Sequence, residues 1–370
     1  MSTPIRSSSP TSIFKEILNT SLNRSASDIH LDSQVEGMVI RYRIDGILHD
    51  GPTIPKSLSP GMVSHIKVLA NLDIAEKRRP QDGKTKFTHE NRSIDIRIST
   101  IPTLHGEKIV LRILDPSSQQ IGIDGLGLST IQHNQLLQSL KQHQGIILAT
   151  GPTGSGKTTT LYTMLKELNT REVNIVTVED PIEYEIPGVN QTSVQRSIDY
   201  TFANALRAFL RQDPDIIFIG EIRDAETARI AIRAALTGHL VLSTIHTNNA
   251  IESVIRLVDM GVEPYLLAAT LKLIIAQRLV RKLCTNCKGM IQSSSSCAKC
   301  NGTSYSGREG IFELLPITDQ IQRCIHDGAS LSTMKAIPEV KYMGTLEQNG
   351  RNKVEQGITT LEEVQRVINA

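Results

Sequence analysis

Apolar and polar positions follow two different patterns, which change over near residue 115. In the first part, apolar residues at helical spacing predict helices over residues 13–24 and 60–76. Short apolar runs bounded by turn residues predict strands in hairpins, at 28–31, 38–42, 94–98 and 109–114. Residues 13–114 are therefore expected to form a small α+β unit, after a disordered tail over residues 1–12.

Residues 115–129 separate the two patterns. They contain four Gly or Pro residues and few large side chains, which is typical of a linker. Beyond them, continuous apolar runs alternate with helices that begin near residues 157, 202, 225 and 250. Such runs are typical of a mostly parallel sheet covered on both faces. Residues 130–370 are therefore expected to form an α/β domain, with a helical region over 308–370.

Composition narrows the class of protein. The chain has 370 residues, 40 Lys+Arg and 38 Asp+Glu, so its net charge of +2 does not favour nucleic acid as the main partner. The most apolar stretch, 265–280, contains charged residues and is shorter than the ~20 residues of a membrane-spanning helix. The first residues lack the apolar core of a secretory signal. We therefore expect a cytoplasmic chain.

The segment GPTGSGKT, residues 151–158, matches the phosphate-loop motif. It follows an apolar strand and opens a helix, so its backbone N–H groups and the helix N-terminus are expected to face phosphates. Lys157 is expected to reach the β- and γ-phosphates, and the Thr158 hydroxyl to hold Mg²⁺. The expected nucleotide-binding residues are Gly151, Pro152, Thr153, Gly154, Ser155, Gly156, Lys157, Thr158 and Thr159.

Two acidic segments follow apolar strands. Glu221 ends one, with Gly220 where an Asp is expected, and Glu179, Asp180 and Glu183 lie in the other. Because the carboxyl ends of parallel strands meet at one edge of a sheet, both segments are expected near the phosphate loop. Glu221 is the candidate that polarises the attacking water. A solvated loop residue or a helix cap is the alternative for each single acid.

His239 and His246 flank a further predicted strand. Seven residues along a strand put the two side chains on opposite faces, at most about 23 Å apart, so they are not expected to bind one metal ion. Only one of them is expected to approach the phosphates. Spacing alone favours a structural capping role for such a histidine.

Four of the five cysteines form two C-x-x-C pairs, Cys284 with Cys287 and Cys297 with Cys300. This spacing predicts a closed tetrahedral thiolate site for Zn²⁺ with a structural role, over residues 284–300. A tetrathiolate iron site and two redox pairs are the alternatives. Cys324 is expected to be a small buried apolar residue.

Several segments together closely resemble the secretion and type IV pilus ATPases, the hexameric motors of type II secretion, pilus assembly and competence systems. The segments are GPTGSGKTTTLY, VTVEDPIEY, LRQDPDIIFIGEIRD, GHLVLSTIHTN and GREGIFELL. The resemblance covers residues 15–370 and implies a RecA-like P-loop domain preceded by a PAS-like α+β domain. The four cysteines resemble the assembly branch, because retraction motors usually lack them. The family's first N-terminal domain is expected to be missing.

The resemblance also implies roles for single residues. Glu221 becomes the water-activating glutamate, and Glu183 is a second catalytic candidate. Arg97 and Arg112 match the family's phosphate-sensing arginines, although spacing alone would make each an exposed strand residue. The remaining implied nucleotide-site residues are Glu179, Asp180, His239, His246 and Arg207, with Arg211 a weaker candidate and His246 also a catalytic one.

The implied function is an Mg²⁺-dependent ATPase that forms a hexamer. ATP would lie between the two domains, with a hinge at 115–129, and the ring would act on an inner-membrane platform protein. The ring would thereby drive pilus-like filament assembly or type II secretion. Membrane association would be peripheral, without direct nucleic-acid binding. The alternatives are a retraction motor, a DNA-translocating RecA-like ATPase and a non-hydrolysing scaffold. Near-neutral charge and 4% aromatic residues argue against DNA binding.

Overall fold

The computed structural model describes residues 9–114, 121–289 and 297–369. The chain divides into two compact units, residues 1–120 and 121–370, and this boundary falls inside the expected linker. Residues 1–8 of the expected tail and residues 115–120 of the expected linker lie outside the described residues. The tail prediction is wrong at residues 10–12, because the first helix already begins at Pro10, where Ser9 caps it.

Unit 1 is the expected α+β unit, and its strands form one antiparallel sheet in the order β3-β2-β1-β6-β5-β4. Its elements are α1 (Pro10–Asn23), β1 (Ala26–Gln34), β2 (Gly37–Ile44), β3 (Ile47–Pro55), α2 (Ser59–Leu69), β4 (Gln81–His89), β5 (Arg92–Thr103) and β6 (Gly106–Leu114). In β5, Ile94, Ile96 and Ile98 are buried, so alternate side chains face the core with the helices. The intervening residues, among them Arg97, lie on the other face of the sheet.

One charged residue of α2 lies inside the core of unit 1. The side chain of Lys67 is fully buried, and its Nζ lies 2.6 Å from Glu107 Oε1. The same Nζ donates a hydrogen bond of 2.7 Å to the carbonyl of Glu76. A buried cation is tolerated when a carboxylate and a second acceptor replace its hydration. Lys67 therefore joins α2 to β6 and to the segment that follows α2.

Unit 2 is the expected α/β domain with a mostly parallel sheet in the order β13-β12-β7-β11-β10-β8-β9. Its first elements are α3 (Thr130–Leu140), β7 (Gly145–Thr150), α4 (Lys157–Leu168), β8 (Ile175–Glu179), β9 (Asn190–Ser193), α5 (Phe202–Phe209), β10 (Ile216–Ile219), α6 (Ala225–Leu236), β11 (Leu240–Ile245) and α7 (Ala250–Asp259). The strands β7, β8, β10 and β11 are wholly buried, as a parallel sheet with helices on both faces requires.

The last part of unit 2 corrects one prediction. It contains α8 (Pro264–Thr270), β12 (Leu271–Leu283), β13 (Tyr305–Pro316), α9 (Asp319–His326), α10 (Leu331–Ala336), α11 (Pro338–Tyr342), α12 (Leu346–Glu355) and α13 (Leu361–Ile368). The helical region therefore begins after Pro316 and not at Arg308, because 305–316 pairs antiparallel with β12 at the sheet edge. Within the described residues, no helix combines the length and apolarity that crossing a bilayer requires.

Candidate nucleotide site

The phosphate loop joins the end of β7 to the start of α4. Gly151, Gly154 and Gly156 have φ values of 145°, 80° and 90°, a region that favours glycine. A Cβ on Gly151 would lie 2.6 Å from the carbonyl oxygen of Gln277 and 2.6 Å from Ser155 Oγ. The loop therefore lies against its neighbours so closely that a side chain at its first position does not fit.

Two side chains of the loop are placed to bind a charged ligand. Lys157 Nζ donates to the carbonyls of Gly151 and Pro152 at 2.8 and 3.0 Å. Burial lowers the pKa of Lys157 to about 8, although the nearby Glu221 carboxylate acts in the opposite direction. Ser155 Oγ is buried and has no hydrogen-bond partner among the described residues. Such an orphaned donor beside a helix N-terminus fits a phosphate group.

Glu221 and His246 lie at the same edge of the sheet as the phosphate loop. They do so because β11 lies between β7 and β10, all three parallel. Glu221 Oε2 is 3.5 Å from His246 Nε2, and Glu221 Oε1 is 2.5 Å from Arg223 Nη2. The hydroxyl of Thr244 donates to the Gly220 carbonyl at 2.7 Å, which fixes the backbone just before Glu221.

The electrostatics of this group are coupled. Burial and the positive charge of Lys157 lower the pKa of His246 below its ordinary value. His246 is then a neutral imidazole near pH 7, with one nitrogen able to accept a proton. Glu221, whose side chain is only 12% exposed, faces the cations Lys157 and Arg223. The structure places Lys157, Glu221 and His246 at this one edge of the sheet.

His239 is not placed to contact a nucleotide held by the phosphate loop of its own chain, so that prediction is wrong. It precedes β11, whereas the loop follows the parallel strand β7. The length of β11 separates the two by roughly 20 Å. His239 Nδ1 lies 2.9 Å from the carbonyl of Ala234, near the end of α6. This is the structural capping role that spacing alone favoured.

Glu179 is also corrected, from a ligand-binding residue to a core residue. It is 3% exposed, and its carboxylate accepts hydrogen bonds from Tyr162, from Thr177 at 2.7 Å and from Gln191 at 3.1 Å. Burial raises the pKa of Glu179, and these three donors oppose that shift. Because both oxygens are engaged, Glu179 orders α4 against β8 and β9. Glu179 ends β8, and two strands, β11 and β10, separate β8 from β7, the strand that leads into the phosphate loop.

The other acidic residues of this segment lie closer to the surface. Asp180 Oδ2 lies 3.3 Å from Arg196 Nη2, in an ion pair. The backbone N–H of Glu183 donates to the Tyr162 hydroxyl at 3.3 Å. The acidic segment is thus anchored to α4 through Tyr162.

The four predicted arginines have different surroundings. Arg97 and Arg112 lie directly opposite each other on β5 and β6. Arg112 Nε donates to Asp28 Oδ1 at 2.9 Å. On α5, Arg207 forms an ion pair with Glu226. The Arg211 guanidinium donates to the Arg207 carbonyl at 2.8 Å, so the Arg211 side chain lies back along the surface of α5.

The four cysteines come together as the sequence predicts. The Sγ atoms of Cys284, Cys287, Cys297 and Cys300 all lie within 4.8 Å of one another. Cys284 Sγ is 3.8 Å from Cys297 Sγ, and Cys287 Sγ is 3.7 Å from Cys300 Sγ. Thiolates about 2.3 Å from a tetrahedral zinc ion are ~3.8 Å apart, so the cluster fits a metal ion. Most of the loop between the pairs lies outside the described residues.

The comparisons with known proteins place the chain in a family. A family model described as Type II/IV secretion system protein matches residues 6–366. The chain belongs to this family. It is 49% identical over 354 residues to "Type II secretion system protein HxcR" of Pseudomonas aeruginosa, and the aligned region covers 95% of this chain and 76% of that protein. It is 45% identical over 375 residues to "Type II secretion system ATPase E" of Vibrio cholerae, with 96% and 74% covered.

Solved structures of secretion and pilus ATPases share the fold of this family member. The pilus retraction motor PilT with bound ADP has a TM-score of 0.66 and 30% identity, and covers 95% of this chain and 96% of its own. The Legionella pneumophila ATPase DotB has a TM-score of 0.77, covers 99% and 98%, and at 22% identity supports the fold alone. The expected RecA-like P-loop fold is confirmed, and the chain is an ATP-hydrolysing secretion-family enzyme.

Sequence reasoning missed two residues of the ATPase site, Gln277 and Arg278. They follow the part of β12 that pairs with β7 and lie against the phosphate loop. Thr160 Oγ1 donates to Gln277 Oε1 at 2.8 Å, which ties α4 to β12. The available signal was a polar pair interrupting the apolar stretch 265–280.

Proposed function

We propose that this ATPase works as a homohexameric ring on an inner-membrane platform protein. The ring would drive type II secretion or the assembly of a type IV pilus-like filament, from the cytoplasmic face of the membrane. The observation that carries the proposal is the meeting of Lys157, Glu221 and His246 at the end of β7, β10 and β11. Relatives that are named as type II secretion proteins support secretion as the process that this ATPase would drive.

In this proposal, Lys157 exchanges its two loop carbonyls for phosphate oxygens when ATP binds. With a pKa of about 8 it is mostly charged near pH 7, and phosphate would raise that pKa further. The hydroxyl of Thr158 would hold Mg²⁺, which supplies charge neutralisation at the phosphates when bound. Ser155 would donate its buried hydroxyl to the same group.

Glu221 would orient the attacking water and take its proton. The Arg223 guanidinium lies 2.5 Å from this carboxylate, in an ion pair that would fix its orientation toward the water. His246 would contact the terminal phosphate or its water, and Glu183 stays a second catalytic candidate. A positioned base of this kind contributes roughly 10²–10⁴-fold to a rate.

Arg97 and Arg112 would stabilise the charge that develops on the transferred phosphoryl group. Arginine suits this role because its charge does not titrate and its N–H groups spread in one plane. Arg97→Ala should therefore leave ATP binding largely intact and lower hydrolysis, by up to the ~10³-fold that an arginine finger supplies. Normal hydrolysis by this variant would exclude the role.

The four thiolates would hold Zn²⁺ as a structural ion. Four ligands leave no open position for catalysis, and the described knuckle has few apolar side chains with which to fold unaided. The Sγ distances of 3.7 and 3.8 Å support a tetrahedral ion at this site.

The test measures the ATPase rate per chain against protein concentration, with Mg²⁺ present and zinc retained, beside the mass of the particle in solution. A rate that rises as hexamers form supports the ring. A constant rate from a species of single-chain mass contradicts it. Glu221→Gln should bind ATP and lose on the order of 10²-fold or more in kcat. Glu347→Gln, at an exposed acid on α12, is the control and should retain the rate.

A retraction motor is the second candidate, because PilT shares the fold at 30% identity. The four-cysteine cluster, which sequence analysis associates with the assembly branch, favours assembly or secretion instead. Complementation of a strain that lacks its secretion or pilus-assembly ATPase distinguishes these functions. Stimulation of the ATPase by DNA, lost at high salt, would instead support the DNA-translocating alternative.

A further inference from the structure

Arg278 is a buried cation for which the proposed mechanism gives no role. Its residue surface is 4% exposed. It donates to three backbone carbonyls: Nη1 to Gln277 at 3.1 Å, Nη2 to Asn248 at 3.3 Å and Nε to Val367 at 3.2 Å. A guanidinium keeps its charge when buried, so removing it from water is costly unless these acceptors are held in place. The three carbonyls belong to three separate segments of unit 2.

The first segment supports the phosphate loop. A Cβ on Gly151 would lie 3.1 Å from Arg278 Nη1, so the loop begins against the guanidinium. A Cβ on Gly156, at the loop's other end, would lie 2.7 Å from Gln277 Nε2. Gln277 and Arg278 therefore form the wall against which both ends of the loop rest.

The second segment carries the catalytic histidine candidate. Asn248, whose carbonyl Arg278 holds, is two residues after His246. The neighbours Thr247 and Ala250 are held by side chains of β7 and β13, through bonds of 2.9 Å each. Arg278 is thus the middle of three anchors along this loop. The distance between His246 and Glu221 depends on them.

The third segment is the last helix of the chain. Val367 lies in the final turn of α13, 89 residues from Arg278 in sequence. The same helix is fixed to β12 by Glu363, which accepts bonds from the Arg281 backbone at 3.0 Å and its guanidinium at 2.8 Å. A shift of α13 along β12 would therefore remove one acceptor from Arg278.

We propose that Arg278 is a positioning residue for ATP hydrolysis. It holds the phosphate loop and the His246 loop in one arrangement, and it couples both to the position of α13. The guanidinium donates from three separate nitrogens and so reaches carbonyls on different sides of its plane's edge, whereas a lysine ammonium donates from a single nitrogen. The inference deepens the proposed function and rests on the roles given there to Lys157 and Glu221.

The test compares Arg278→Lys with Arg281→Lys in the full, zinc-loaded chain. Arg281 is the matched control, because it lies three residues further along β12 and also holds α13, through Glu363. Steady-state kinetics give kcat and KM, a fluorescent ADP analogue gives nucleotide affinity, and thermal unfolding gives stability.

We expect kcat of R278K to fall between about 10-fold and about 100-fold, because a displacement near 1 Å in a reacting group has this effect. Nucleotide affinity should change less than about threefold, since the lost contact acts through geometry in the transition state. R281K keeps the backbone hydrogen bond from residue 281 to Glu363, so α13 stays on β12. It should lower the unfolding temperature and leave kcat within about twofold of wild type. If R278K does not fold, Arg278→Gln, which keeps amide donors, takes its place.

Two results would overturn the inference. Wild-type kcat in folded R278K would make Arg278 a packing residue only, and so would equal losses of kcat in R278K and R281K. Glu221→Gln is measured beside them. If E221Q is inactive and R278K is normal, only the role of Arg278 is refuted. If E221Q is active, the proposed site itself is wrong and the inference is refuted with it.

Discussion

The carboxylate of Glu363 provides a sharp stability prediction. Its side chain has no exposed surface, and it accepts four hydrogen bonds: from the Arg281 backbone and guanidinium at 3.0 and 2.8 Å, and from Arg366 at 2.8 and 2.6 Å. Burial alone would raise the pKa of Glu363, but the hydrogen bonds from Arg366 and Arg281 lower it to about 2.

The depressed pKa gives the size of the stability loss expected in Glu363→Gln. The ordinary pKa of a glutamate is 4.5 and that of Glu363 in the folded protein is about 2, a difference worth about 3 kcal/mol of unfolding free energy at neutral pH. A folded pKa below the unfolded one stabilises the protein above pH 4.5, and this stability is lost as pH falls toward 2. The difference in unfolding free energy between wild type and E363Q should therefore narrow below pH 4.5 and fall to half at pH ~3.

Thermal unfolding of wild type and E363Q at several pH values measures this gap. For a unit of this size, about 3 kcal/mol corresponds to a shift of roughly 6–12 °C. Glu347→Gln is the matched control, because its ion pair with Arg351 is 54% exposed on both sides and is worth at most about 0.5 kcal/mol. Equal losses in E363Q and E347Q, or a gap independent of pH, would refute the reasoning.

Three further predictions concern other sites. His246→Ala should lower kcat by about 10-fold or more, whereas His239→Ala should keep it within about twofold; equal effects on the ATPase rate would contradict the sheet geometry. Metal analysis should find about one zinc ion per chain, released in Cys287→Ser, and a native protein without metal would refute the thiolate site. Lys67→Met leaves the Glu107 carboxylate buried alone and should destabilise unit 1 by about 3–5 kcal/mol in denaturant unfolding; a loss under 1 kcal/mol would contradict it.

Periodicity and motif made much of the fold predictable. Continuous apolar runs, such as 145–150 and 240–245, needed helices on both faces, and the structure buries each of their residues. The alternation around Ile94 and Ile96 likewise needed a sheet with one buried face. These signals are local, so one sequence suffices to detect them.

The strand β13 shows where local signals end. Residues 311–315 are buried, and all but Glu313 are apolar; such a short run suits a strand or a buried helix equally. Only the antiparallel partner β12 decides between them. That partner precedes it by more than twenty residues, beyond the reach of a local pattern.

By itself, the sequence determined the chemistry of this ATPase: the phosphate-loop lysine, the acid after a buried strand and the four thiolates, because each depends on residue types at fixed spacing. The tertiary structure decided which candidates meet. The order and direction of the strands place His246 beside Glu221. They place His239 at the opposite end of β11, away from the phosphate loop. The tertiary structure also buries Glu179 among its donors and brings Arg278 to two distant carbonyls, those of Asn248 and Val367. Proximity between distant segments depends on which strands pair and in which direction, and no spacing along the chain encodes that choice.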